Sequence, residues 1–247
     1  MRSHIPRAWP AAAGAAVLLA FLSACVARGD TVSHNSRSFP FLGRRLTIET
    51  HETNLIVESD TRREITAERE LRGTAAQDGN ATWSLHGDTL TIRVDCSGLV
   101  LSCESEHRVR IPEDVELTVT GTGGAVQLKG LTGDVTARLG HDGTLRVVRP
   151  AGRLRLYSTG GDITVTDARS ARVQAMTSGD GNIDLGFAAP PTRVEVRAAG
   201  SVGITLPPGG ETYRIDAPGS DVPSDPGSDR VIVAHAADGA VTIRKGR

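Results

Sequence analysis

An apolar alternation that recurs about every 19 residues constrains this chain more than any other feature. From residue 109 onward, short period-2 runs begin at Val115-Leu117-Val119, Val135-Ala137-Leu139, Leu154-Leu156, Val173-Ala175, Val194-Val196, Tyr213-Ile215 and Val231-Val233. A glycine-containing turn follows each, at Gly123-Gly124, Gly143, Gly160-Gly161, Gly179-Asp180-Gly181, Gly200, Gly219 and Gly239. A second alternation closes most units, as in Val126-Leu128, Leu145-Val147, Ile163-Val165, Ile183-Leu185, Ile204-Leu206 and Val241-Ile243. Helical i, i+3, i+4 spacing is absent, so the pattern predicts strands. A unit this small cannot bury a face alone, but stacked on its neighbours at about 4.8 Å it can. The expectation is an all-β chain whose residues 109–247 form a single-stranded β-solenoid (β-helix) of ~19-residue coils. An antiparallel sandwich of short strands is the alternative.

Composition agrees with narrow coils. Aromatic residues are 3% of the 247, while 28 are glycine. Aliphatic ladders leave no room for rings, and glycine at corners supplies positive φ and close backbone approach. Arg45–Thr50, Asn54–Ser59, Glu64–Glu70, Thr82–His86 and Thr89–Asp95 also read as strands. Residues 45–108 are therefore expected to form a less regular N-terminal β cap or first coils, as terminal repeats do. A net charge of -1 argues against nucleic acid held on a basic face.

The first 24 residues form an export leader: Arg2 and Arg7, then the apolar run Ala11–Leu22, too short to span a bilayer. The run ends at Leu22-Ser23-Ala24-Cys25, which resembles the bacterial lipobox. Cys25 is the expected lipidation site, with a diacylglyceryl group anchoring the mature chain to the outer face of the cell membrane. Residues 25–44 read as a flexible tether, with Phe39 and Phe41 at its end expected to cap the first structural layer. Export places the chain in an oxidising setting, so Cys96 and Cys103 are expected to form a disulfide closing the loop between two strands.

The segments Gly87-Asp88-Thr89-Leu90-Thr91-Ile92, Asp95-Cys96-Ser97-Gly98, Leu101-Ser102-Cys103 and Arg108-Val109-Arg110-Ile111-Pro112 carry a family resemblance. So do Ala188-Ala189-Pro190-Pro191 and Leu206-Pro207-Pro208-Gly209 in the coils that follow the leader. Over roughly residues 45–247 the chain resembles the actinobacterial "putative adhesin" family of β-strand-repeat envelope proteins. The resemblance implies a β-helical fold and a cell-surface location.

The function expected is a non-enzymatic adhesin or an envelope-interaction or stress-sensing module. No cofactor is expected. Beyond the membrane itself, a cell-wall polymer or an envelope protein is the expected partner. The alternative is a polysaccharide-active β-helix enzyme using Asp142, Asp162 and Asp180, which fall near one corner of successive coils. Asp beside Gly is equally what a tight turn requires. His34, His51, His86, His107, His141 and His235 lack ligand spacing and read as solvated strand or turn residues, so no metal site is expected. Arg138, Arg146, Arg153, Arg155, Arg172, Arg193 and Arg197 alternate with inward residues and face out, as a basic stripe or as ordinary solubilising charge. Ala217–Arg230 holds three prolines and no apolar ladder. It reads as an exposed loop, either a specific contact or decoration, with Pro218, Asp221, Pro223, Asp225, Pro226 and Asp229 as its candidate residues.

Overall fold

The computed structural model describes residues 32–97 and 102–246. The expected leader and Cys25 lie outside the described residues. The chain begins with β1 (Val32–Pro40), β2 (Arg45–His51), β3 (Asn54–Asp60) and β4 (Glu64–Gly73), then a 3-10 turn at Thr74–Ala76. Next come β5 (Ala81–His86), β6 (Thr89–Val94) and β7 (Cys103–Pro112). The repeat supplies β8 (Glu116–Thr122), β9 (Ala125–Lys129), β10 (Val135–Gly140), β11 (Thr144–Val148), β12 (Leu154–Ser158) and β13 (Ile163–Ala168). It continues through β14 (Arg172–Thr177), β15 (Ile183–Phe187), β16 (Arg193–Ala198) and β17 (Val202–Leu206). The last strands are β18 (Arg214–Asp216), β19 (Val231–Ala236) and β20 (Val241–Lys245).

From β8 to β17 the chain alternates between two sheets, each strand pairing in parallel with the strand two places on. The register carries the sequence period straight into the core. Leu117, Val135, Leu154, Val173, Val194 and Ile232 form one inward row of the second sheet. Val126, Leu145, Ile163, Ile183, Val202 and Val241 face them from the first. A neighbouring row alternates large and small, Val119, Ala137, Leu156, Ala175, Val196, Ala234, so that successive coils interdigitate. All of these residues belong to one buried cluster.

Corner glycines serve close approach more than positive φ. A Cβ on Gly181 would stand 2.5 Å from the carbonyl oxygen of Gly161, and one on Gly161 would collide with that of Gly143. Positive φ is found at the corner glycines Gly123 (φ 68), Gly124 (φ 72) and Gly219 (φ 72), and the Gly123 position is also left-handed in the neighbouring coils, at Glu52 (φ 53) and His141 (φ 52).

The two ends depart from simple stacking. β2 pairs with β6 on one side and β8 on the other, and β3 pairs likewise with β7 and β9. The β2–β3 coil is thus inserted between two coils that follow it in sequence. β4 runs antiparallel on β7, β1 on β4 and β5 on β6. Among the described residues the fold is therefore two mixed ten-stranded sheets, not a purely parallel coil. Part of the expected tether is corrected too. Val32–Pro40 is strand β1, in register with β4 from Val32↔Arg72 to Pro40↔Glu64, and Phe39 and Phe41 are buried at its end. The physical reason is that β4 offers a full edge and the two rings have a core to enter.

At the other end, Tyr213-Ile215 does not begin a sixth coil. β19 stacks directly on β16, and β18 is displaced to the outside of β19. Val231–Ala236 brings Ile232 and Ala234 into the inward rows, whereas residues 207–230 lack a second alternation and hold prolines that cannot donate to a ladder.

Candidate interaction surface

Parallel in-register pairing writes the outward residues of the second sheet as rows along the stack. One row reads Asp134, Arg153, Arg172, Arg193; the next reads Thr136, Arg155, Gln174, Glu195; the third reads Arg138, Tyr157, Met176, Arg197. Of the seven arginines expected to face out, six gather here. Arg146 is on the opposite sheet, level with Thr164 and Asp184. Arg193 is engaged by Glu195 at 2.6 Å, and Arg153 approaches Asp134 at 4.0 Å. Arg138, Arg155, Arg172 and Arg197 are exposed and have no ion pair or side-chain hydrogen bond among the described residues. Two shallow grooves cross this face. One of about 210 Å³ is bordered by Arg153, Arg155, Arg172, Gln174, Arg193 and Glu195; one of about 200 Å³ by Arg138, Arg155, Tyr157, Gln174 and Met176. They share Arg155 and Gln174. The Tyr157 hydroxyl lies 3.2 Å from Ser178 Oγ. Chemically, the face offers unneutralised guanidinium groups, each a planar donor fork suited to phosphate or carboxylate.

The loop expected at Ala217–Arg230 closes the end of the stack. Val222 enters the core, Asp221 N–H donates to the Ile243 carbonyl at 2.9 Å, and Asp225 N–H donates to the Tyr213 carbonyl at 2.9 Å. The Asp225 carboxylate accepts from Gly227 N–H at 2.9 Å. The side chains of Pro218, Asp221, Pro223, Pro226 and Asp229 remain exposed. Arg230 reaches back to the carbonyls of Pro190 and Pro191 at 3.3 and 3.1 Å. The segment is an ordered end cap, and its backbone is committed to structure.

Asp142, Asp162 and Asp180 occupy three successive corners between the sheets and are exposed. Asp162 Oδ1 accepts from the backbone N–H of Asn182 at 2.7 Å and from its Nδ2 at 3.2 Å, a turn-bracing role. None of the three borders the grooves described above. Cys96 and Cys103 form the expected disulfide, with Cα atoms 6.2 Å apart, joining the ends of β6 and β7 across the corner. Among the described residues no three His, Cys, Asp or Glu side chains group to hold a metal ion. No helix among them is long and apolar enough to cross a membrane.

One histidine corrects the expectation. His107 is 0% exposed, with Nδ1 2.9 Å from Thr53 Oγ1, and Ser105 Oγ donates to that same hydroxyl at 2.7 Å. The Thr53 hydroxyl also reaches the carbonyls of Asn54 at 3.3 Å and Ser105 at 3.5 Å, while His107 Nε2 has no hydrogen-bond partner among the described residues. The Trp83 and His107 ring centroids are 6.1 Å apart with the rings near perpendicular, and Arg69 sits 4.6 Å over that indole. Burial, with a lesser contribution from the Arg69 charge, pushes the His107 pKa down to about 4. The available signal was period 2 itself: Val109 and Ile111 point inward, so 107 and 105 do as well.

With this geometry in place, known proteins add a fold likeness. A "putative adhesin" from Parabacteroides distasonis is 12% identical, with a TM-score of 0.51, covering 87% of this chain and 97% of its own. A "putative cell adhesion protein" from Clostridium sporogenes is 9% identical with a TM-score of 0.40, over 87% of this chain and 100% of its own. A "putative lipid binding protein" from Parabacteroides distasonis is 12% identical with a TM-score of 0.40, over 87% and 97%. At these identities the first likeness bears on the fold alone, and the other two carry no argument. No family model and no curated protein matches, so the actinobacterial membership expected from the motifs finds no counterpart.

Proposed function

We propose that this chain is a non-enzymatic adhesion module of the bacterial envelope, its repeat a β-solenoid, held at the outer face of the cell membrane by a diacylglyceryl group on Cys25. The observation that carries the reading is the two-sheet stack whose outward side chains fall into in-register rows, collecting six arginines on one open face. Such a face suits contact with an extended partner better than enclosure of a small substrate. The fold likeness to a protein described as a putative adhesin supports the same reading. The family resemblance of the motifs and the Leu22-Ser23-Ala24-Cys25 segment support envelope attachment.

The test is metabolic labelling with an alkyne fatty acid, comparing wild type with Cys25→Ala, together with biotinylation of intact cells. Label lost in the variant and biotin acquired by wild type are the expected results; equal labelling, or no surface biotin, overturns the anchored-module reading. The end-cap loop is tested separately by envelope pull-down with Asp221→Ala/Asp229→Ala, which spares its structural backbone. An unchanged partner list removes the loop as a contact.

A further inference from the structure

Deepening that adhesion role, we propose that the outer face of the second sheet from β10 to β16 docks a linear polyanion, a phosphate-bearing wall polymer laid along the stack axis. Parallel stacking fixes the cation spacing: Arg153, Arg172 and Arg193 recur once per coil, about 4.8 Å apart at the backbone. Arg155 stands one row over, and Arg138 and Arg197 two rows over. Arg138, Arg155, Arg172 and Arg197 lack acidic partners, so binding an anion breaks no existing ion pair. The two grooves, joined through Arg155 and Gln174, run across four successive strands and so along the stack. Tyr157 and Met176 lie between Arg138 and Arg197 in their row, giving a short apolar rest for a sugar ring between phosphates.

The shape of the charge pattern selects a polymer over a bilayer. Beyond the arginine rows the charge is mixed, with Glu49 and the Glu116–Arg45 pair on the β2–β8 side and Asp216 and Arg214 on β18. A flat anionic bilayer would press these carboxylates against its headgroups together with the arginines. A chain confined to the grooves meets Arg138, Arg153, Arg155, Arg172 and Arg193 and one carboxylate, Glu195, which Arg193 already holds.

The experiment uses the full chain carrying Cys25→Ser and long-chain inorganic polyphosphate as the probe, with orthophosphate and phosphatidylglycerol vesicles as separate arms. Arg155→Glu/Arg172→Glu is expected to weaken polyphosphate binding about tenfold or more, and wild-type binding to fall steeply with added salt. Arg146→Glu/Arg244→Glu makes the same charge change on the opposite sheet and is expected to shift affinity by no more than about twofold. If the reversed pair lowers Tm, Arg155→Gln/Arg172→Gln replaces it, with a smaller loss of the same sign expected. Equal loss in face and control variants, retained binding in the face variants, orthophosphate binding as tight as the polymer, or face-dependent preference for vesicles would each overturn the proposal. Failure here with Cys25 acylated and the protein surface-exposed leaves the adhesion role standing. Polyphosphate binding without Cys25 labelling would instead sink only the anchor.

Discussion

His107 is neutral in the core because its charged form would lose water and meet the charge of Arg69, its cross-strand partner. Linkage then gives a sign. The folded-state pKa of about 4 lies below the unfolded value of 6.5, so the unfolded chain takes up the proton first. The stabilisation is complete above pH 6.5 and is lost as pH falls toward 4, by about 3 kcal/mol in all. In His107→Leu, denaturant midpoints should lose most of their dependence on pH between those values; a variant as acid-sensitive as wild type would show that another group is responsible. A second residue-scale effect sits at the turns. Arg149 (φ 52) and Asp167 (φ 56) share a left-handed position that Gly130 (φ 68) occupies in the preceding coil. Arg149→Gly should raise stability by about 1 kcal/mol, read from chemical denaturation, because glycine removes the clash of Cβ with backbone there. Loss of stability would mean that the Arg149 side chain carries a compensating contact.

Strands and corners were legible in unequal measure. Period 2 placed β8 to β17 because inward residues alternate wherever one sheet face is buried, and the disulfide followed from two cysteines at facing strand ends. Pairing partners were not legible at the ends. Local alternation says which side chains point inward, but not which edge a strand meets, and the inserted β2–β3 and β19–β20 coils depend on that choice. The same gap hid β1, whose polar residues leave a weak pattern and whose place is set by the distant edge of β4. The corner glycines were located correctly, with their reason only half seen. Gly181→Ala, at ordinary φ but 2.5 Å from the Gly161 carbonyl, should cost about 3 kcal/mol by forcing two coils apart. Gly210→Ala, with nothing near its Cβ, should cost far less. Equal losses in Tm would show that flexibility, and not coil spacing, is what glycine supplies.

At the scale of the whole molecule, the stack turns a one-dimensional period into a two-dimensional surface. Residues about 19 apart in sequence become neighbours, so a scatter of arginines becomes rows. That conversion separates Arg146, which lies on the second alternation of its unit, from the other six, which lie on first alternations and so share a sheet. The corner aspartates show the reverse case. Their regular spacing suggested a catalytic ladder, yet they stand exposed at turns, with Asp162 bonded to Asn182. The most direct test is an NMR titration of the full chain carrying Cys25→Ser with polyphosphate, following arginine Nε–Hε and backbone amide signals. Shifts should be confined to Arg138, Arg153, Arg155, Arg172, Arg193, Arg197 and the strands of that sheet, β10, β12, β14 and β16. Shifts centred on the end-cap loop or on the Arg146 face, or none at all, would contradict the arginine rows as the binding surface.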